Sequence, residues 1–188
     1  NPLTGDRIPG SVGFALPGVD MRVRDGMQIC KSGEIGVVEV SGDHVFSGYW
    51  RKENETSQAF SDDGFLVTGD IGVIDNDGRL RLKGRSTDLI ISGGENIYPR
   101  EIERHLDDVD CIRESAVIGI SDGDLGEAVV AVIAPNGSFN ESEVRDYIKD
   151  KVANFKRPRR YILIDELPRN SMGKVQKSKL RDAYNGQS

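Results

Sequence analysis

Four short segments carry side chains of the kinds that bind anions and diols. In Thr68-Gly69-Asp70 a carboxylate follows a glycine at the end of a predicted strand. Such a carboxylate accepts hydrogen bonds from a diol such as a ribose, or it closes an Asx-turn on its own backbone. The run 84–99 holds Arg85, whose guanidinium suits a phosphate or ribose oxygen at a domain junction, and Gly93-Gly94, where a ligand can approach the backbone. Its other reading is a surface turn before a helix. In 155–160, Phe155 stands beside Lys156, Arg157, Arg159 and Arg160. An aromatic among four cations can stack a base and neutralise phosphates, or form a solvated face before an edge strand. In 168–177, Lys174 follows Gly173 on a polar loop, as a point charge for a phosphate or carboxylate. The chain has no GxGxxG and no GxxxxGK[ST], so it carries no self-sufficient phosphate cradle.

The elements that must position these groups change character near residue 85. Before it, short alternating or β-branched runs at 21–24, 35–40, 65–67 and 79–83 are separated by glycine-rich turns. Asp75-Asn76-Asp77-Gly78 is a hairpin signal between two apolar runs. Only 53–60 suggests a helix there. After the junction Gly84-Arg85-Ser86-Thr87, strands are expected at 88–91, 111–120, 128–133 and 161–164. Helices are expected at 99–106, with Pro99 in the first turn, at 140–152, capped by Asn140, and at 175–184. The expectation is a β-rich module over 1–85 and a compact α+β unit over 86–188.

Composition bounds the rest. The 188 residues have a formal net charge of −6, and no apolar run reaches the length of a membrane helix. Cys30 and Cys111 are far apart without a CxxC partner, so neither a disulfide framework nor a structural zinc site is expected. A reducing, cytoplasmic setting is the default. Charge is uneven. Residues 86–150 carry 5 Lys+Arg against 15 Asp+Glu, whereas 151–188 carry 10 against 3. The basic stretch either meets an anionic partner or folds against the acidic middle. Overall acidity and the lack of a nucleic-acid motif disfavour nucleic acid as that partner. The chain opens Asn1-Pro2-Leu3 without a starting methionine, which suggests a piece of a longer protein.

In order, the TGD segment, the block GRxxDxIxxxGxNIxPxEIE ending at Glu103 and the PRNxxGKxxK segment ending at Lys177 resemble the last third of the acyl-adenylate-forming superfamily. That superfamily includes acyl-coenzyme A synthetases, adenylation domains and luciferases. The resemblance implies a β-subdomain (a distorted barrel) that ends a large ATP-binding domain, followed by a small α+β lid that rotates between two half-reactions. ATP, Mg²⁺ and coenzyme A follow as cofactors and co-substrate, with magnesium held mainly by a preceding N-terminal domain. Asp70 is similar to the aspartate on the AMP ribose, Arg85 to the arginine contacting ribose and phosphate, and Lys174 to the adenylation lysine. Ser92, Gly93 and Gly94 resemble the strand lining the pantetheine path.

In benzoate-type ligases an aromatic followed by basic residues receives the nucleotide of coenzyme A, which implies that role for Phe155, Arg157 and Arg159. Two positions depart from the pattern: Thr87 stands at the hinge where Asp or Lys is usual, and Leu125 where those ligases carry tryptophan. The flanking segments, including 1–13 and 45–50, resemble the malonyl-coenzyme A synthetase branch, so malonate is the acid expected. Lys174 is also expected as a target of a lysine acetyltransferase. Two other readings stand beside this one: an adenylation domain that loads a carrier protein, and a non-catalytic module that binds nucleotide or coenzyme A.

Overall fold

The structure, a computed structural model, describes residue 1 and residues 7–185. Residues 2–6, part of the opening segment used above, therefore lie outside the described residues. The chain forms two compact units, Asn1–Thr87 and Asp88–Ser188.

The first unit is an antiparallel sheet in the order β2-β1-β3-β4-β5. Its strands are β1 (Asp20–Asp25), β2 (Gln28–Ile29), β3 (Ile35–Ser41), β4 (Leu66–Ile74) and β5 (Leu80–Arg85), with α1 (Glu53–Ala59) between β3 and β4. Val23, Val38 and Leu80 form its small core. Glu39 is buried and is matched by Arg22 at 2.6 Å. The β4–β5 hairpin turns where the sequence signals it: Asp75 Oδ1 accepts the N–H groups of Asp77 and Arg79 at 3.1 and 2.8 Å. The barrel implied by the family resemblance is, among the described residues, an open five-stranded sheet with β2 and β5 at its edges.

The second unit starts with β6 (Ile90–Ser92) and β7 (Glu95–Ile97). These pair antiparallel across Gly93-Gly94, a two-residue turn with φ of +59° and +83°. Positive φ at both turn residues matches the right-handed twist of a tight hairpin, and only glycine adopts it without cost. Next come α2 (Pro99–Leu106), β8 (Ile112–Asp122), β9 (Gly126–Pro135), α3 (Glu141–Lys149), β10 (Arg160–Leu163) and α4 (Lys177–Tyr184).

Strand β9 pairs antiparallel with β8 along its length, parallel with β10, and with β6 at Ser92↔Gly126. Both of its faces are buried, which is why 128–133 is a continuous apolar run rather than an alternating one. Val129, Ala131 and Ile133 join Ile102 and Leu106 of α2 and Val144 and Ile148 of α3. Ala128, Val130 and Val132 join Leu167 and Leu180 on the opposite face. Each fully buried aliphatic side chain contributes about 1.5–3 kcal/mol, so the sheet with its two covers is the stable frame from which the loops project.

Candidate functional site

The expected site residues fall into three places. In the first unit, Asp70 and Arg85 are register partners on β4 and β5. Arg85 Nε lies 2.9 Å from Asp70 Oδ1, and Arg85 Nη1 donates to the Thr68 carbonyl at 3.1 Å. Asp70 therefore sits within a strand, with its carboxylate oriented across the ladder by a cation. Thr68 supports the strand locally: its hydroxyl donates to the Val38 carbonyl at 2.8 Å and accepts the Asp70 N–H at 3.1 Å. Ser86 Oγ donates to the Gly69 carbonyl at 3.1 Å. Thr87 lies in the 3-10 turn Ser86–Asp88 and is the last residue of the first unit.

In the second unit a cleft of about 650 Å³ brings together Ser92, Gly93, Phe155, Arg157 and Arg159, with Leu125 opposite. The Gly93 N–H donates to the Leu125 carbonyl at 2.8 Å, which ties the glycine turn to the β8–β9 connection. Asp122 organises that connection. Its carboxylate accepts the N–H groups of Leu125 and Asp124 at 3.0 Å each, and with the nearby Arg159 charge they hold it below the usual carboxylate range. Phe155 is 46% exposed. Gly94 has open space where a Cβ would stand.

The cations of this stretch do different work. Lys156 is bound to both oxygens of Glu101 at 2.8 Å. Arg157 donates to the carbonyls of Lys149 and Val152 at 2.8 and 3.3 Å, and to Asn154 Oδ1 at 3.2 Å, so its guanidinium closes the C-terminal end of α3. Arg159 joins the frame through its backbone, whose N–H donates to the Val129 carbonyl at 2.8 Å, and its side chain is exposed.

The cleft also holds Glu95, Arg145 and Asn154, which the sequence did not single out. Arg145 is placed by α3 and donates to the carbonyls of Pro158 and Arg159 at 3.3 and 3.0 Å. No motif spacing signals a residue that arrives by packing of a helix against a later loop.

The basic C-terminal stretch is in good part folded against the acidic middle. Lys156 pairs with Glu101, Arg169 with Glu114, Lys177 with Glu103 and Arg181 with Asp88. Of the two explanations open at the level of charge, self-complementation thus accounts for four cations, and the cleft gathers Arg157 and Arg159.

The third place is the Lys174 loop, which is a hairpin rather than a loose segment. Asn170 Oδ1 accepts the N–H groups of Met172 and Lys174 at 3.0 and 2.9 Å, and Arg169 bridges to Val175. Gly173 turns the chain at φ +78°. Lys174 is exposed, and among the described residues no carboxylate lies within ion-pair distance of it. The described residues also gather no cluster of His, Cys, Asp and Glu suited to a metal ion. Magnesium therefore finds no such ligand set among the described residues.

Residues 101–174 match the AMP-binding enzyme C-terminal domain. Those residues therefore carry the C-terminal domain of AMP-binding enzymes. The chain is 41% identical over 172 residues to the 2-succinylbenzoate–CoA ligase of Bacillus pumilus, covering 92% of this chain and 35% of that protein. It is 38% identical over 179 residues to the long-chain-fatty-acid–CoA ligase FadD13 of Mycobacterium tuberculosis, covering 95% and 35%. The crystal structure of ATP-bound MatB from Rhodopseudomonas palustris matches with a TM-score of 0.93 at 46% identity, over 100% of this chain and 38% of that one. The chain thus spans about a third of the length of the curated relatives it matches. No helix among the described residues is long and apolar enough to cross a membrane.

Proposed function

We propose that the chain is the C-terminal part of an AMP-forming acid–thiol ligase that makes an acyl-coenzyme A. The observation that carries this reading is the single cleft uniting the glycine turn with Phe155, Arg157 and Arg159. An aromatic face, two guanidinium groups and a backbone without side chains suit a nucleotide joined to a narrow thiol arm.

In the first half-reaction a substrate carboxylate oxygen attacks the α-phosphate of ATP. The new P–O bond gives acyl-AMP, and pyrophosphate leaves. Negative charge concentrates at the oxygens that meet, so the Lys174 ammonium placed there favours the transition state over the ground state. Asp70 accepts the ribose hydroxyls, and Arg85 contacts ribose and phosphate. In the second half-reaction the coenzyme A thiol attacks the acyl carbonyl and AMP leaves. Thr87 is the hinge about which residues 86–188 turn as a lid, and residues 1–85 end the larger ATP-binding domain. Ser92, Gly93 and Gly94 line the thiol path, and Arg157 shapes the wall while exposed Arg159 meets phosphate.

The acid is malonate or a methyl-malonate. The 46% identity to MatB and the malonyl-coenzyme A synthetase character of the flanking segments support this choice. Lys174, exposed on its hairpin, is open to an acetyltransferase.

The complete enzyme tests the reading. Phe155→Ala and Arg159→Ala should each raise the KM for coenzyme A about tenfold, since base stacking or a phosphate contact is worth roughly 1–3 kcal/mol, and should leave acyl-AMP formation unchanged. An unaltered KM for coenzyme A in both variants removes the cleft from the reaction. Transfer of the acyl group to a phosphopantetheinylated carrier but not to coenzyme A would instead make the protein a carrier-loading enzyme.

A further inference from the structure

We propose that the ion pair of buried Glu103 with partly buried Lys177 is the device that positions Lys174, an inference that rests on the adenylation role given to Lys174 above. Glu103 and Lys177 are the closing residues of the two longest motifs in the chain, and neither is used by the reaction as described. The fold brings them together: Lys177 Nζ lies 2.6 Å from Glu103 Oε1, with the side chains 15% and 5% exposed. The same carboxylate oxygen accepts the N–H of Val117, in the middle of β8, at 2.9 Å. Glu103 thereby joins three elements: α2, which carries it, the central part of β8, and the first residue of α4.

A pair this largely buried is a poor choice for stability alone, because desolvation offsets most of the Coulomb attraction. What it supplies is one fixed geometry at the root of α4. Lys177 follows Lys174 by three residues, and that link has little slack. The Gln176 N–H donates to the Pro168 carbonyl at 2.7 Å, and Val175 bridges Arg169.

The other arm of the hairpin is held in a matching way. Arg169 Nη1 donates to the Gly173 carbonyl at 2.6 Å, and Arg169 Nη2 pairs with the Glu114 carboxylate on β8. Both arms are thus tied to β8, the downstream arm by the more buried carboxylate. Lys177 and Glu103 are positioning residues: they act on the root from which the Lys174 ammonium extends.

The complete enzyme is assayed in its two halves, acyl-AMP formation by pyrophosphate release and thioester formation from supplied acyl-AMP. Lys177→Gln and Glu103→Gln should each slow acyl-AMP formation about 10- to 100-fold, the scale of an ångström-sized misplacement. The KM for ATP and the thioester rate should stay within about twofold. Lys177→Arg, which keeps the charge, should recover most of the lost rate. Lys174→Ala serves as the reference. If Lys174→Ala slows both halves alike, the adenylation reading itself falls. If it is selective while Lys177→Gln slows both halves alike or neither, the positioning proposal alone falls. Where Glu103→Gln does not yield folded protein, the Lys177→Gln and Lys177→Arg pair decides, since Lys177 lies nearer solvent.

Discussion

Arg85 and Asp70 face each other as register partners of β4 and β5, with Nε 2.9 Å from Oδ1. The two residues proposed to hold the nucleotide's ribose and phosphate therefore already orient one another. A cation at this distance aims the carboxylate, and a diol can join without first assembling the site.

That pair is 54% and 27% exposed. Exposed ion pairs contribute about 0–1 kcal/mol to stability, so Asp70→Asn and Arg85→Ala should leave the thermal midpoint within a few degrees. In the complete enzyme the KM for ATP should rise about tenfold or more, the loss of one or two charge-assisted hydrogen bonds. Nucleotide-dependent pyrophosphate exchange measures the KM, and a large drop in melting temperature with normal KM would reverse the assignment.

Acetylation of Lys174 removes its charge without disturbing the hairpin, whose bonds run through Asn170 and the backbone. Enzymatically acetylated protein should lose acyl-AMP formation by about 100-fold and keep thioester formation from supplied acyl-AMP. Deacetylation should restore the first step. Full adenylation by quantitatively acetylated Lys174 would contradict its role.

Gly93→Ala should destabilise the fold and narrow the cleft. The added Cβ would meet Leu125 at 3.6 Å, an ordinary contact, so the penalty comes from backbone at φ +59°. A left-handed residue with a side chain costs about 1–2 kcal/mol. For a unit of this size that lowers the melting temperature by roughly 4–8 °C per kcal/mol. Calorimetry checks the shift. The thioester step should slow while acyl-AMP formation is spared, and an unchanged thioester rate would detach the turn from the thiol path.

Tyr161 on β10 gives a pH signature. Burial pushes its phenol up to about 12, with the Arg145 guanidinium opposing and Glu141 adding to the rise. In an unfolded chain a tyrosine titrates near 10. The folded state holds this proton more tightly, so the contribution to stability is complete below about pH 10 and is lost as pH rises through 12. Tyrosinate absorbance should show one phenol ionising late, and Tyr161→Phe should remove that late step. Disappearance of some other transition in the variant would rule the assignment out.

Much of the frame is legible in the sequence because its signals are local. Val144 and Ile148 repeat at helical spacing, and Asn140 caps α3 by accepting the Ser142 N–H at 3.1 Å. A continuous apolar run marks β9. The ends are less legible: α3 stops at Lys149 rather than 152, and α4 begins at Lys177 rather than 175. The strand expected at 88–91 is β6, but its hairpin partner β7 was hidden because three residues are too few for a period to show.

The site is legible in its residue types and less so in their employment. Arg157 and Arg159 look alike in sequence. Which guanidinium is spent on carbonyls depends on where α3 ends, a fact of tertiary packing. Glu103 and Lys177 lie far apart in the chain, and only the wrapping of α2 and α4 around β8 brings them together.

The cover of the second sheet face has a consequence for how the protein is made. Leu167 and Leu180 close that face over Ala116, Ile118, Val130 and Val132, and both follow every strand of the unit in the chain. During vectorial synthesis the β8–β9 hairpin leaves the ribosome with this surface bare, and it stays bare until Leu180 emerges. At about 5–20 residues per second, the interval is several seconds. For that time the nascent chain exposes an aliphatic sheet face, the kind of surface through which incompletely folded chains aggregate.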